Sequence, residues 1–143
     1  MNKILLATDG SEFAEKALQK SIDLAKATNA SVTVVSASPM IYPRISLEVT
    51  KDINEKMQEH TAAEVNKIAD EALQKLKDQG VKADKKVVLD MVPADAICST
   101  AKEGGYDLIV VGSRGRRGLS ETFLGSVSNE VAHLACTTVM IVR

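Results

Sequence analysis

The 143-residue chain contains no tryptophan, two phenylalanines and two tyrosines, an aromatic content of 3%. Single-stranded nucleic acids are gripped by clustered stacking side chains, so a platform of that kind is excluded. Positive charge is not in excess either: 18 Lys and Arg stand against 19 Asp and Glu, for a net charge of -1. Duplex binding draws on counterion release by a basic surface, which this balance does not supply; only a local basic patch remains open. There are two cysteines, Cys98 and Cys136, with no CxxC spacing. That argues against redox catalysis and structural zinc, and leaves two small apolar side chains expected in the interior. No apolar run approaches the ~20 residues of a membrane span. The opening "MNKILLATDGSE" turns polar too soon for a signal peptide. The expectation is a cytoplasmic protein with no membrane or nucleic-acid partner.

Hydrophobic residues make up 45% of the chain and charged residues 26%, which allows a real core at this length. One domain spanning residues 1–143 is expected. No repeat, linker or low-complexity segment interrupts it. Short apolar runs alternate with helical periodicity. "KILLAT" reads as a buried strand, and Ser11 caps a following helix whose face carries Ala14, Ala17, Leu18, Ser21, Leu24 and Ala25. Asn29 ends that helix, and "NASVTVVSA" is a second, β-branched strand. Pro39 and Pro43 mark a loop. Val49, Ile53, Met57, Thr61, Val65, Ile68, Ala72 and Leu76 then recur at i+3 or i+4 up to Gly80, which predicts one long helix packed on a sheet. "KKVVLDM" is a third strand, and Pro93 opens a short helix running to about Lys102. "YDLIVVG" is a fourth strand, Gly125 to Ala135 a fourth helix, and "TTVMIVR" a fifth strand.

Alternation with continuously apolar strands predicts an α/β fold, an open five-stranded parallel sheet with helices on both faces. Ligands bind such sheets beyond the carboxyl ends of the strands. The loops at that edge are Asp9-Gly10, Ser36 to Pro39, Asp90 to Val92, and the segment from Gly112 onward.

That last segment, "VGSRGRRGLSETFLGSVSNEV", holds three glycines and three arginines within the seven residues Gly112 to Gly118. It has no lysine, so it is not a Walker A loop, and its first glycines are too far apart for the dinucleotide fingerprint. Glycine allows close backbone approach and positive φ. Ser126, Val127 and Ser128 would present free amides at a helix start, where partial positive charge favours an anion, and the two serine hydroxyls would add donors. A capped loop without a ligand fits the same glycines.

The full spacing is Gly112, two residues, Gly115, nine residues, Gly125-Ser126. It resembles the phosphate loop of the ATP-binding universal stress proteins. "KILLATDGSEFAEKAL", "YDLIVVGSRGRRG" and "VMIVR" resemble that family too, so the likeness covers essentially the whole chain. It implies an adenine nucleotide alpha-hydrolase-like fold with strand order 3-2-1-4-5, in which the loops carrying Asp9 and Gly112 lie side by side. It also implies a site. Asp9 would accept hydrogen bonds from ribose hydroxyls. Ala7, Thr8, Ala37 and Val111 would line the adenine pocket, loosened where Ala37 replaces a frequent valine. Gly112, Gly115, Gly125, Ser126, Val127 and Ser128 would wrap the phosphates of ATP. Arg114, Arg116 and Arg117 read as solvated charge, with a reach to the β- or γ-phosphate as their functional alternative, which puts Arg114 in the candidate site. Mg²⁺ or Mn²⁺ would be held mainly by phosphate oxygens and water rather than by side chains. The departures are Met91-Val92-Pro93 and Cys136-Thr137-Thr138, where the family often has a glycine and a proline; neither lies in the phosphate cradle.

The function this implies is a cytosolic ATP-binding stress-response or regulatory protein. His60 and His133 fall away from the expected phosphate position, and no base for water is evident; slow ATP hydrolysis stays open. An ATP pyrophosphatase-type adenylating enzyme needs a Ser-Gly-Gly-x-Asp-Ser loop, which "ATDGSE" is not. A phospho-receiver domain needs a helix after its fifth strand, and none follows Arg143. An interaction module without nucleotide is the remaining alternative. The fifth strand, Thr138 to Val142, is too apolar for a bare sheet edge, so a homodimer through it is expected, as in many members of the family.

Overall fold

The computed structural model describes residues 1–39, 50–116 and 123–143. Its elements are β1 (Lys3–Ala7), α1 (Glu12–Thr28), β2 (Ser31–Ala37), α2 (Thr50–Asp78), β3 (Ala83–Val88), α3 (Pro93–Gly104), β4 (Leu108–Gly112), α4 (Ser126–Leu134) and β5 (Thr138–Val142). The five strands form one sheet in the order β3-β2-β1-β4-β5. Every pair is parallel, with Leu6 opposite Val34 on one side and Val110 on the other.

The pleat sends alternate residues to two cores. Ile4, Leu6, Val34 and Val110 face α1 and α2, where they meet Ala17, Leu18, Ala69 and Leu76. Leu5, Val35, Ile109 and Val111 face α3 and α4, where they meet Ala94, Ile97, Ala101 and Val131. The central strands are therefore apolar on both sides, as a sheet covered on both faces requires. Each fully buried Leu or Ile contributes roughly 1.5–3 kcal/mol relative to exposure.

Local signals place the helix ends. The Ser11 hydroxyl accepts the Ala14 amide at the start of α1, and Asn29 closes that helix in the left-handed region at φ 56°. Pro93 sits in the first turn of α3, and Gly105 ends it at φ 62°. On α1 the buried stripe runs through Ile22, while Leu24 packs only partly against the core.

Three expectations are corrected. The α2 stripe does not bury along its whole length: Ile53 and Met57 are exposed, and burial begins at Val65. The amino-terminal part of α2 projects beyond the strands it was expected to cover, so apolar periodicity alone overstates the packed length. β3 ends at Val88, short of the expected Met91, and its burial is partial because it is an edge strand. Neither cysteine is fully buried: Cys98 is half-buried in α3, and Cys136 is exposed between α4 and β5. Burial, followed by the charges of Asp95 and Cys136, pushes the Cys98 thiol above its usual range. Tyr42, Pro43, Val49, Arg117 and Gly118 lie outside the described residues.

The chain winds outward in opposite directions from β1 and β4. Their carboxyl-end loops diverge, and a crevice opens between them.

Candidate nucleotide site

A cavity of about 770 Å³ occupies that crevice. Its size is ordinary for a small-molecule site. Ala7, Thr8 and Asp9 enter it from the end of β1, Ala37 from the end of β2, and Val111 and Gly112 from the end of β4. Arg114, Gly115 and Gly125 come from the following loop, and Ser126, Val127 and Ser128 from the first turn of α4. The structure thus gathers every candidate site residue around one space.

Ala14, Val35, Pro93, Ile97, Phe123 and Leu124 also line the cavity and were not among the candidate site residues. Val35, Ile97, Val111 and Val127 belong to the core layer between the sheet and α3/α4, so that layer forms an apolar floor. Ile97 and Val35 were legible only as members of an expected helix and an expected strand. Phe123 is 74% exposed at the rim.

Polar groups are few. The amides of Ser126, Val127 and Ser128 have no acceptor within their own helix, since they are first-turn donors. Gly125 is the N-cap of α4 and offers no side chain to satisfy them. The Ser128 hydroxyl departs from expectation. It donates towards the carbonyls of Ser113 and Gly125, both at 3.0 Å, so it fastens the loop. The Arg114 guanidinium lies over the Phe13 ring at 5.1 Å, and its Nε is buried without a hydrogen-bond partner among the described residues. Such an atom, at the edge of a cavity, is a donor awaiting an acceptor.

Asp9 is the one carboxylate among the described lining residues. Its Oδ1 accepts the Ser11 amide at 3.0 Å, and its Oδ2 accepts the Arg116 amide at 3.2 Å. Arg116, which also lines the cavity, donates from Nε to the Asp9 carbonyl at 2.8 Å and from Nη1 to Glu64 of α2 at 2.8 Å. The Arg116 hydrogen bond and charge hold the Glu64 carboxyl below its usual range.

Close contacts within the protein surround the motif glycines. Positive φ is confined, among described glycines, to Gly10, Gly80 and Gly105. A Cβ on Gly115 would lie 2.7 Å from Asp9 Oδ2, and one on Gly125 would lie 3.2 Å from the Arg114 Cα. The loop folds back on Asp9 and on itself, so a side chain at Gly115 would displace the Asp9 carboxylate and one at Gly125 would press on the Arg114 backbone.

His60 and His133 are exposed and line no part of the cavity. Among the described residues no three His, Cys, Asp or Glu side chains converge on a metal position. No helix is long and apolar enough to cross a membrane, again among described residues.

Comparison with known proteins gives one consistent answer. A model of the universal stress protein family matches residues 1–143. The universal stress protein YxiE of Bacillus subtilis is 36% identical over 147 residues, covering 99% of each chain. The solved structure of MJ0577, a universal stress protein of Methanocaldococcus jannaschii, superposes with a TM-score of 0.83 at 26% identity, covering 99% of this chain and 94% of that one. A universal stress protein solved in complex with cAMP matches with a TM-score of 0.70 at 26% identity, over 99% of this chain and 96% of its own. The sheet order and helix layers are those of the adenine nucleotide alpha-hydrolase-like fold.

Proposed function

Because the chain belongs to the universal stress protein family, we propose that it is a cytoplasmic regulatory protein that holds ATP in this cavity. The observation that carries the reading is the convergence, in about 770 Å³, of an apolar floor, a single carboxylate and an uncapped helix start. Each suits one part of an adenine nucleotide. The base is flat and largely apolar, and the layer of Val35, Ala37, Ile97 and Val111 receives it. Two vicinal ribose hydroxyls are donors, and Asp9 accepts them. The phosphates are anions, and the first-turn amides of α4 meet them together with the Nε of Arg114, which has no partner among the described residues. A family relative solved with cAMP supports an adenine nucleotide as the ligand class.

A divalent ion, Mg²⁺ or Mn²⁺, accompanies the phosphates in this reading and takes its ligands from them and from water. The protein binds rather than turns over quickly. Asp9 is committed to the ribose hydroxyls in this reading, and no histidine reaches the cavity, so a base for water is lacking among the described lining residues. Native mass spectrometry of the purified protein tests the reading by detecting retained adenine nucleotide, with calorimetric titration of MgATP into stripped protein as the quantitative arm. No heat at millimolar MgATP removes the nucleotide reading and leaves an interaction module.

The same proposal includes a homodimer through β5. That strand is a sheet edge, and Val139, Met140, Ile141 and Val142 are only half-buried in the monomer. A second copy presenting the same strand would cover them under two-fold symmetry.

A further inference from the structure

Resting on the nucleotide reading, we infer that Glu64 on α2 is a positioning residue for ribose recognition, acting through Arg116 on Asp9. An ionised carboxylate offers about four acceptor positions, two on each oxygen. In this structure one on Oδ1 is filled by the Ser11 amide and one on Oδ2 by the Arg116 amide. One acceptor position then remains on each oxygen, the number that two vicinal hydroxyls need. The carboxylate's orientation therefore depends on both N–H donors staying in place.

Ser11 is fixed as the N-cap of α1. Arg116 sits on a glycine arm and needs another anchor. Its side chain provides one by bridging the Asp9 carbonyl and Glu64, each at 2.8 Å. The bridge ties the arm to α2, an element outside the phosphate loop whose Ile68 packs beside the Asp9-Gly10 turn, 3.3 Å from where a Gly10 Cβ would stand. Gly115 completes the arrangement, because a Cβ there would stand 2.7 Å from Asp9 Oδ2 and push the carboxylate aside. This division assigns the arginines different tasks: Arg116 is engaged with Asp9 and Glu64, while Arg114 has a buried Nε without a partner among the described residues.

The pair is about half exposed, with side-chain accessibilities of 51% for Arg116 and 46% for Glu64, so its effect is modest and falls with salt. The test compares MgATP, its 2′-deoxy counterpart and inorganic triphosphate by calorimetry in wild type, Glu64→Gln and Glu64→Asp. The expected result is that Glu64→Gln lowers the preference for ATP over the deoxynucleotide by about threefold. Triphosphate affinity stays unchanged, and Glu64→Asp recovers part of the preference. Amide hydrogen exchange at Arg116 in ligand-free protein supplies a readout that does not depend on nucleotide, and it should quicken in Glu64→Gln. Unchanged Arg116 exchange, or an unchanged preference in Glu64→Gln, overturns the inference. Failure of wild-type protein to bind ATP while Arg116 exchange still responds to Glu64 overturns the nucleotide reading and the ribose role together, leaving only the structural bridge.

Discussion

The end of β4 rests on the first turn of α1 so closely that a Cβ on Gly112 would stand 2.7 Å from the carbonyl carbon of Phe13. The carbonyl oxygen at 2.8 Å and the Ala14 amide nitrogen at 2.9 Å close the remaining space, and all three are backbone atoms. Gly112→Ala should therefore destabilise the whole fold, by about 1–3 kcal/mol as overpacking usually does. Urea denaturation checks it: the midpoint should fall with the slope unchanged, and a midpoint equal to wild type would show that the α1 turn yields freely.

Gly115 is exposed, and its tight neighbour is a side chain rather than backbone. Gly115→Val should leave thermal unfolding cooperative and close to wild type while abolishing ATP binding, because the new side chain displaces the Asp9 carboxylate. Gly125→Val should also abolish binding by disturbing the start of α4. Calorimetric titration that returned wild-type affinity in both variants would remove the loop from the site.

Asp9→Ala separates ribose from phosphate recognition. Loss of a charged hydrogen-bonding group should weaken ATP by roughly 1–3 kcal/mol. Inorganic triphosphate, which has no hydroxyls, should lose much less. Equal losses for the two ligands in parallel titrations would take Asp9 out of the ribose role.

Asp107 pins the beginning of β1, accepting the Asn2 amide at 2.7 Å and the Lys3 amide at 3.0 Å. Those two backbone donors hold its carboxyl below the usual range. A depressed carboxyl stabilises the fold above its unfolded value of about 3.9, and that contribution disappears as pH falls through the lower folded value. Asp107→Asn should therefore lower the melting temperature at pH 7, with the gap to wild type narrowing below about pH 4. Melting curves across pH 2–7 check the sign; a gap that widened in acid would contradict it.

Val139→Lys and Ile141→Lys place charge on both half-buried positions of one face of β5. They should shift a dimer toward monomer in analytical ultracentrifugation at tens of micromolar. A wild-type protein that already sediments as a monomer at that concentration would refute assembly through β5.

Sequence pattern revealed most where the cause is local. The Ser11 cap, the Asn29 stop, Pro93 at a helix start and the continuously apolar β4 each act within one turn or one strand. Motif spacing pointed to the loop residues that the structure gathers around one cavity. Hidden from the sequence were relations between distant segments. Ile53 and Met57 fit the α2 stripe, but whether the sheet extends beneath them depends on where β2 and β3 stop. Ile97 and Val35 fall inside an expected helix and an expected strand, and only the crevice shows that their layer runs into it. Glu64 is one exposed acid among many on α2, and only the fold sets it beside Arg116, 52 residues away. The motif glycines were visible, but the residues they press against were not.

The middle of the sheet also sets a timetable. β1 pairs with β4, and the Asp107 carboxylate that holds the start of β1 is 104 residues from Lys3. At ribosomal rates of roughly 5–20 residues per second, that stretch takes about 5–20 s to appear. For that time one edge of β1, buried from Ile4 to Ala7, has no native partner, and pairing across so long a separation is slow even once the strands exist. Chaperone demand during synthesis should therefore be concentrated on β1, a strand that is made well before β4 and completed late.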